Sequence, residues 1–136
     1  MRLSSLLLGM VAVMTLGVND CPQADCPDPA EGYLTPGVWG GDNWEISVDT
    51  DGMIRVRTYC ASGLSQEPVA AQDGNVTFAA DMIFEFGGPG RPGEARFDGQ
   101  VCGDTFEFIY ETDYGYTEEA SVQFGVEGKI EPCPYL

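Results

Sequence analysis

Carboxylates are the side chains of this sequence best suited to chemistry, and several lie close together along the chain. There are 22 aspartates and glutamates, and three pairs stand out: Asp49 with Asp51, Glu107 with Glu111, and Glu118 with Glu119. Two carboxylates are enough for glycoside hydrolysis, one as the acid and the other as the base or nucleophile. Because such pairs arise by chance in an acidic chain, we interpret them as a solvated acidic face and predict no catalytic residue.

Other forms of catalysis lack their residues. The chain has no histidine, so neither a Ser-His-Asp nor a Cys-His nucleophilic system can be assembled. The glycine-rich segment 87–93 has no lysine and no flanking helix pattern, both of which a phosphate-binding loop needs. We therefore predict a protein that is not an enzyme and that uses no cofactor.

One short segment has the residue types of a calcium loop. Asp49-Thr50-Asp51-Gly52 resembles half of such a loop, but the third oxygen ligand and the distant glutamate are out of register. Asp-Gly also supplies the backbone conformation that a tight hairpin turn needs. We interpret the segment as a turn and predict no metal site.

The net charge narrows the choice of partners. Six lysines and arginines against 22 acids give a formal charge of −16. Such a surface repels nucleic acid and anionic lipid head groups. The charge serves either solubility outside the cell or attraction to a basic partner.

The first residues are typical of an export signal. Arg2 is followed by an apolar run over 6–18, which is too short to span a membrane and suits the core of a signal peptide. Cleavage is expected between 17 and 20. No later segment approaches about 20 apolar residues, so we predict no transmembrane helix.

Five cysteines follow the leader, at positions 21, 26, 60, 102 and 133. An exported chain meets an oxidising compartment, so disulfides are expected, and the odd number leaves one thiol over. Cys21 stands where bacterial lipoproteins carry their lipid, although Val18-Asn19-Asp20 departs from the usual preceding residues. Cys21 is either lipidated, bonded to Cys26, or an unpaired cysteine near the terminus. Zinc is disfavoured because there is no Cys-x-x-Cys pair and no histidine.

The rest of the chain alternates in the manner of β-strands. Period-two patterns cover 44–48, 53–60, 76–86, 105–112 and 120–126, the last with Val126 facing inward. Turns are predicted at Asp51-Gly52, at Asp73-Gly74 and at Gly103-Asp104, with a surface loop over 87–93. No window repeats at a helical period.

These patterns predict a single all-β domain. Seven or eight short strands with turns every 8 to 12 residues favour a small antiparallel β-barrel with a lipocalin-like meander, or a β-sandwich. The domain organisation is a signal peptide over 1–19, a proline-rich tether over 20–37 and the β domain over 38–136.

Aromatic side chains are the remaining source of function. Most of the seven phenylalanines are expected to face inward: Phe78, Phe84, Phe86, Phe97, Phe106, Phe108 and Phe124. They either fill the core or line a cavity for one small apolar ligand. Trp39, Tyr114 and Tyr116 lie near predicted loops, where they either contact a partner or glycan or cap the barrel end.

Five segments together resemble a family of small, uncharacterised, exported bacterial β-domain proteins. They are Val38-Trp39-Gly40-Gly41-Asp42, Cys60-Ala61-Ser62-Gly63, Gly87-Gly88-Pro89, 95–101 with Gly103-Asp104-Thr105, and Pro132-Cys133. The resemblance covers nearly all of 37–135 and implies a disulfide between Cys60 and Cys133. The family commonly has histidine where this chain has Ser62. Cys26 and Cys102 are not part of that pattern and are candidates for a second disulfide.

The functions expected from these features are non-catalytic. The first is a binding or structural module of the bacterial envelope, periplasmic, surface-exposed or secreted, with a basic protein or a glycan as partner. The alternatives are a carrier of a small hydrophobic ligand and an inhibitor of a basic secreted enzyme.

Overall fold

The computed structural model describes residues 26–86 and 88–134. Within these residues all of the secondary-structure elements are β-strands. In chain order these are β1 (Gly32–Tyr33), β2 (Gly37–Gly41), β3 (Trp44–Val48), β4 (Ile54–Thr58), β5 (Ala61–Ser65), β6 (Ala70–Ala71), β7 (Asn75–Phe84), β8 (Arg91–Cys102), β9 (Thr105–Thr112) and β10 (Thr117–Phe124). Eight of them close an antiparallel barrel in the order β10-β2-β3-β4-β5-β7-β8-β9, and β1 pairs with β6. The all-β prediction is confirmed, and the architecture is the barrel, not the sandwich.

The β3–β4 hairpin shows how local sequence specifies the strands. The Asp49 carboxylate accepts hydrogen bonds from the backbone N–H groups of Asp51 (2.8 Å) and Met53 (3.0 Å). Gly52 has a φ of 82°, which a residue with a side chain rarely adopts. The turn sets the register in which Ile46 faces Val56, so both point into the barrel. The predicted hairpin is confirmed, and the turn accounts for Asp49.

The predicted surface loop over 87–93 is longer than the observed one. Arg91, Pro92 and Gly93 belong to β8, which makes this part of the loop prediction wrong. Pro92 pairs with Ile83 of β7, whereas pairing of β8 with β9 starts only at Ala95. Proline is tolerated here because the strand has a neighbour on only one side.

Aromatic side chains fill the interior of the barrel. Trp44 is completely buried, and its ring centroid lies 5.0 Å from that of Phe108 and 4.9 Å from that of Tyr110. Phe97 stacks on Phe78 at 4.6 Å and also contacts Trp44. The middle of the barrel is therefore a packed core.

Residues 26–36, which we call the N-terminal arm, lie across one end of the barrel. Cys26 is bonded to Cys102 at the β8–β9 turn, and the Ala30 carbonyl accepts a hydrogen bond of 2.8 Å from the Gly74 N–H. Leu34 is buried in the core. This part of the predicted tether is thus packed on the barrel and closes that end.

Residues 125–134, which we call the C-terminal strap, run back along the outside of the barrel. Gly125, with a φ of 82°, turns the chain out of β10, so Val126 is 42% exposed and its inward assignment is wrong. The strap passes so close to β2 that a side-chain carbon on Gly40 would lie 2.3 Å from the Val126 carbonyl oxygen. A disulfide between Cys133 and Cys60 holds its far end.

Candidate functional site

The barrel opens at the end opposite the N-terminal arm. Consecutive barrel strands alternate in direction, and the strands that run toward this end are β2, β4, β7 and β9. A cavity of about 400 Å³ lies there. We call this cavity the mouth. Its lining comprises Thr58, Tyr59, Phe84, Phe86, Tyr110, Thr112, Tyr114, Tyr116 and Glu118.

Six aromatic rings make up most of the mouth. Phe84 and Tyr110 are buried and form its floor, Phe84 at the last inward position of β7 and Tyr110 one inward position before Thr112 on β9. Phe86, Tyr114 and Tyr116 are 56%, 61% and 56% exposed and form its rim. Phe84 contacts Tyr114 edge-to-face at 5.2 Å, and Tyr110 contacts Tyr116 at 6.2 Å. These contacts connect the rim to the packed core.

Glu118 supplies the one carboxylate of the mouth. It shares the inward side of β10 with Ala120 and Val122, because side chains two apart on a strand point the same way. One carboxylate oxygen accepts a hydrogen bond from the Trp44 indole N–H at 3.3 Å. The other accepts one from the Tyr116 hydroxyl at 3.1 Å. The carboxylate is therefore held in place from the core and from the rim.

The pKa values of two tyrosines in the mouth are raised by burial and by the charge of Glu118. Burial raises the pKa of Tyr110 well above its usual value, and the negative charge of Glu118 and the neighbouring Tyr116 and Asp113 raise it further. The pKa of Tyr116 is also raised, by burial and then by the charge and hydrogen bond of Glu118. Burial and the charge of Glu118 together disfavour a second negative charge here.

The carboxylate pairs singled out in the sequence do not converge on a shared site. Glu107 and Glu111 lie on one strand four residues apart, about 13 Å at the usual rise per residue. Glu118 faces into the barrel and Glu119 faces outward. The third pair lies in the β3–β4 turn, where the first aspartate caps backbone N–H groups. Over residues 26–86 and 88–134, no three acidic or cysteine side chains are grouped as a metal site.

Two disulfides join the four cysteines of the described chain. Cys26 is bonded to Cys102 at the closed end, and Cys60 is bonded to Cys133 beside the mouth. These are the same two pairs that were considered from the sequence. Cys21 and the predicted signal peptide over 1–19 lie outside the described residues.

The aromatic residues noted in the sequence divide between core and mouth. Phe78, Phe97, Phe106 and Phe108 are core residues. Tyr114 and Tyr116 lie at the rim, as their position near a loop suggested, whereas Trp39 is buried and donates its indole N–H to the Thr35 carbonyl at 3.0 Å. Phe86 was expected to face inward and is exposed instead.

The sequence does not identify Tyr59 as a mouth residue. It places Tyr110 only on the core face of its strand and indicates Glu118 only as a member of a carboxylate pair. A signal was available for Glu118. Counting back by twos from Val122 places it on the inward face of β10.

A second surface feature lies on the outside of the barrel. Ile109 is 45% exposed, and its neighbours across β8 and β10 are Asp98 and Glu119. Glu107 lies two residues away on the same face, and Gly99 leaves a depression of about 470 Å³ beside them. We call this acidic surface the Ile109 patch.

Within the part of the chain that the structure covers, no helix has the length and apolar character needed to cross a bilayer.

Comparison with known proteins found no family model, no curated protein and no solved structure that matches this chain.

Proposed function

We propose that this protein is an exported, non-enzymatic binding module of the bacterial envelope and that its ligand occupies the mouth. The observation that carries the proposal is the concentration of six aromatic rings and one anchored carboxylate at the one end of the barrel that the N-terminal arm leaves free. The cavity of about 400 Å³ is within the usual range for small-ligand sites, about 300 to 1,000 Å³.

The packed core limits where a ligand can lie. Trp44 and Phe97 fill the space below Tyr110, so a ligand is held among the rim tyrosines and does not enter the middle of the barrel. The sequence offered a carrier of a small hydrophobic ligand as an alternative. Because the packed core leaves no room in the middle of the barrel, a module that holds its ligand at the mouth fits better.

The two disulfides fit a role in the envelope. One lies at the closed end and the other beside the mouth. Disulfides form and persist in oxidising compartments such as the bacterial periplasm, so both are consistent with folding after export.

Recovery of a ligand bound at the mouth tests this proposal. The mature protein is purified from its native envelope, and native mass spectrometry is used to detect a co-purified small molecule. We expect such a molecule to be lost from a Tyr114→Ala, Tyr116→Ala variant and retained in Tyr33→Ala. Tyr33 is a suitable control because it is also 56% exposed but lies at the closed end. Equal retention in all three proteins would contradict the proposal.

The Ile109 patch supports a second candidate, inhibition of a basic secreted enzyme. An exposed apolar side chain with three carboxylates around it suits a partner with a basic, partly apolar surface. Binding to a cationic lysozyme should then weaken steeply with salt and be lost in Ile109→Asp, while Tyr114→Ala leaves it unchanged. If binding depended on Tyr114 instead, the partner would bind at the mouth and not at the Ile109 patch.

A further inference from the structure

The negative charge of the mouth has no cationic partner in the described chain. No lysine or arginine lines the mouth, and none of their nitrogens within residues 26–86 and 88–134 lies within 4 Å of the Glu118 carboxylate. Arg91 is not a lining residue of the mouth, although it lines a small adjoining depression that shares Phe84, Phe86 and Tyr114 with it. The carboxylate therefore stays available to a positive charge brought by a ligand.

The aromatic walls favour the same sign of charge. The face of a phenylalanine or tyrosine ring carries partial negative charge and attracts cations within about 6 Å. Tyr110 and Tyr116 meet edge-to-face at 6.2 Å with their rings inclined at 69°, and the Tyr116 hydroxyl donates to Glu118. A cation bound between the rings of the mouth and Glu118 would be attracted by aromatic faces and by the carboxylate together.

The polar atoms of the mouth decide which kind of cation fits. The mouth has few polar groups other than its tyrosine hydroxyls: the Glu118 carboxylate, the Thr58 hydroxyl, which donates to the Asn43 carbonyl at 2.6 Å, and Thr112 Oγ1, which accepts from the Tyr116 N–H at 3.1 Å, while most of the lining is aromatic. A primary ammonium has three N–H donors that lose water on binding and each need an acceptor, which an aromatic wall does not supply. A quaternary ammonium has no donor and presents methyl groups that suit the rings.

From the Glu118 carboxylate and the predominance of aromatic rings in the lining, we infer that the mouth binds a quaternary ammonium group. This inference rests on the proposed function, because it names the ligand class of the same site. The group can come from a free small molecule or from a lipid headgroup, since both present the same trimethylammonium chemistry.

Paired ligands of equal shape test the inference. Choline and its uncharged carbon analogue 3,3-dimethyl-1-butanol are titrated into the mature protein at constant ionic strength, followed by NMR of backbone amides. We expect choline to shift resonances of the mouth and to bind at least about fivefold more tightly than the analogue. Methylamine, as a primary ammonium, should bind more weakly than choline.

Protein variants assign the charge that is responsible. Glu118→Gln should weaken choline binding by about fivefold or more and leave the uncharged analogue unaffected. Glu119→Gln is the matched control, since it removes one charge from the adjacent residue of the same strand, and it should change choline binding by less than about twofold. The amide spectra of both variants show whether they keep the fold.

Vesicles distinguish the two sources of the ligand. Binding to phosphatidylcholine vesicles but not to free choline would assign the group to a lipid headgroup, and binding to free choline would assign it to a small molecule. Phosphatidylglycerol vesicles, which lack the group, should not bind.

Two results would overturn the inference, and they differ in what they leave standing. If the uncharged analogue or methylamine binds as tightly as choline, the quaternary ammonium assignment is wrong, but the mouth remains a ligand site. If neither choline nor phosphatidylcholine vesicles bind at the mouth, the assignment is also wrong, and binding of a trilysine peptide there would make the occupant a basic protein. The proposed function itself fails only if neither these probes nor a co-purified molecule contacts the mouth.

Discussion

The two disulfides allow a quantitative test of what each end of the barrel contributes. Cys26–Cys102 spans 76 residues and Cys60–Cys133 spans 73, so they restrict the unfolded chain almost equally. The loop-closure relation gives an entropy of about 15 cal/mol/K for each, or about 4.5 kcal/mol at 25 °C. Removing either bridge should therefore lower the free energy of unfolding by nearly the same amount.

Their effects on the mouth should differ. Cys60 follows Tyr59, a lining residue, and its carbonyl accepts a hydrogen bond of 2.8 Å from the Glu85 N–H in the connection that carries Phe86. Loss of the Cys60–Cys133 bridge frees this side of the rim. Loss of Cys26–Cys102 acts at the closed end, so ligand binding should stay unchanged.

The assay compares two double variants, Cys26→Ser with Cys102→Ser and Cys60→Ser with Cys133→Ser. Both are made with Cys21→Ser, so that no third thiol can exchange. Urea unfolding gives the stability of each, and choline titration gives its affinity. We expect stabilities within about 1 kcal/mol of each other and weaker binding only in the second variant.

Unequal stability losses would refute the reasoning. A difference above about 2 kcal/mol would mean that native contacts of the arm or strap, and not restriction of the unfolded chain, determine what each bridge contributes. Equal loss of binding in both variants would show that the mouth is not insulated from the closed end.

Three further predictions concern the core, the strap and alkaline pH. Phe97→Ala should lower the free energy of unfolding by about 3 to 5 kcal/mol in urea titrations, because it leaves a hole beside Phe78 and Trp44. Gly40→Ala should destabilise by about 1 to 3 kcal/mol in the same assay, because the added carbon meets backbone of the strap. The raised pKa of Tyr110 contributes stability that is complete below the unfolded tyrosine value of about 10 and is lost as the pH rises above it. Unfolding measured at about pH 9 and about pH 11 should therefore show a smaller loss in Tyr110→Phe than in the unmodified protein.

Local signals predicted the strands well where a turn set the register. The alternation over 44–48 and 54–58 has Asp51-Gly52 between its halves, and the observed hairpin has the expected inward residues. Prediction failed at strand ends. The alternation continues through Val126 in the sequence, but Gly125 leaves the strand direction, and Phe86 likewise lies beyond the end of β7. The alternation of apolar and polar residues does not indicate where the pairing between strands ends.

The sequence predicted the residues of the mouth only in part, for a related reason. Tyr114 and Tyr116 could be placed near a loop, but their relation to Phe84 depends on β7 and β9 ending at the same rim. Glu118 could be placed on one face of its strand, yet its contact with Trp44 joins positions 74 residues apart. Such proximity follows from barrel closure.

The sequence by itself determined the all-β class, the turns at Asp-Gly steps and the acidic surface, because these depend on residues that are near neighbours in the chain. Only the tertiary structure decided that the N-terminal arm closes one end, that the strap crosses β2 at Gly40, and that six aromatic rings and one carboxylate line a cavity at the other end. The physical reason is that closing a barrel brings the ends of distant strands together. Their register follows from the packing of the whole core around Trp44.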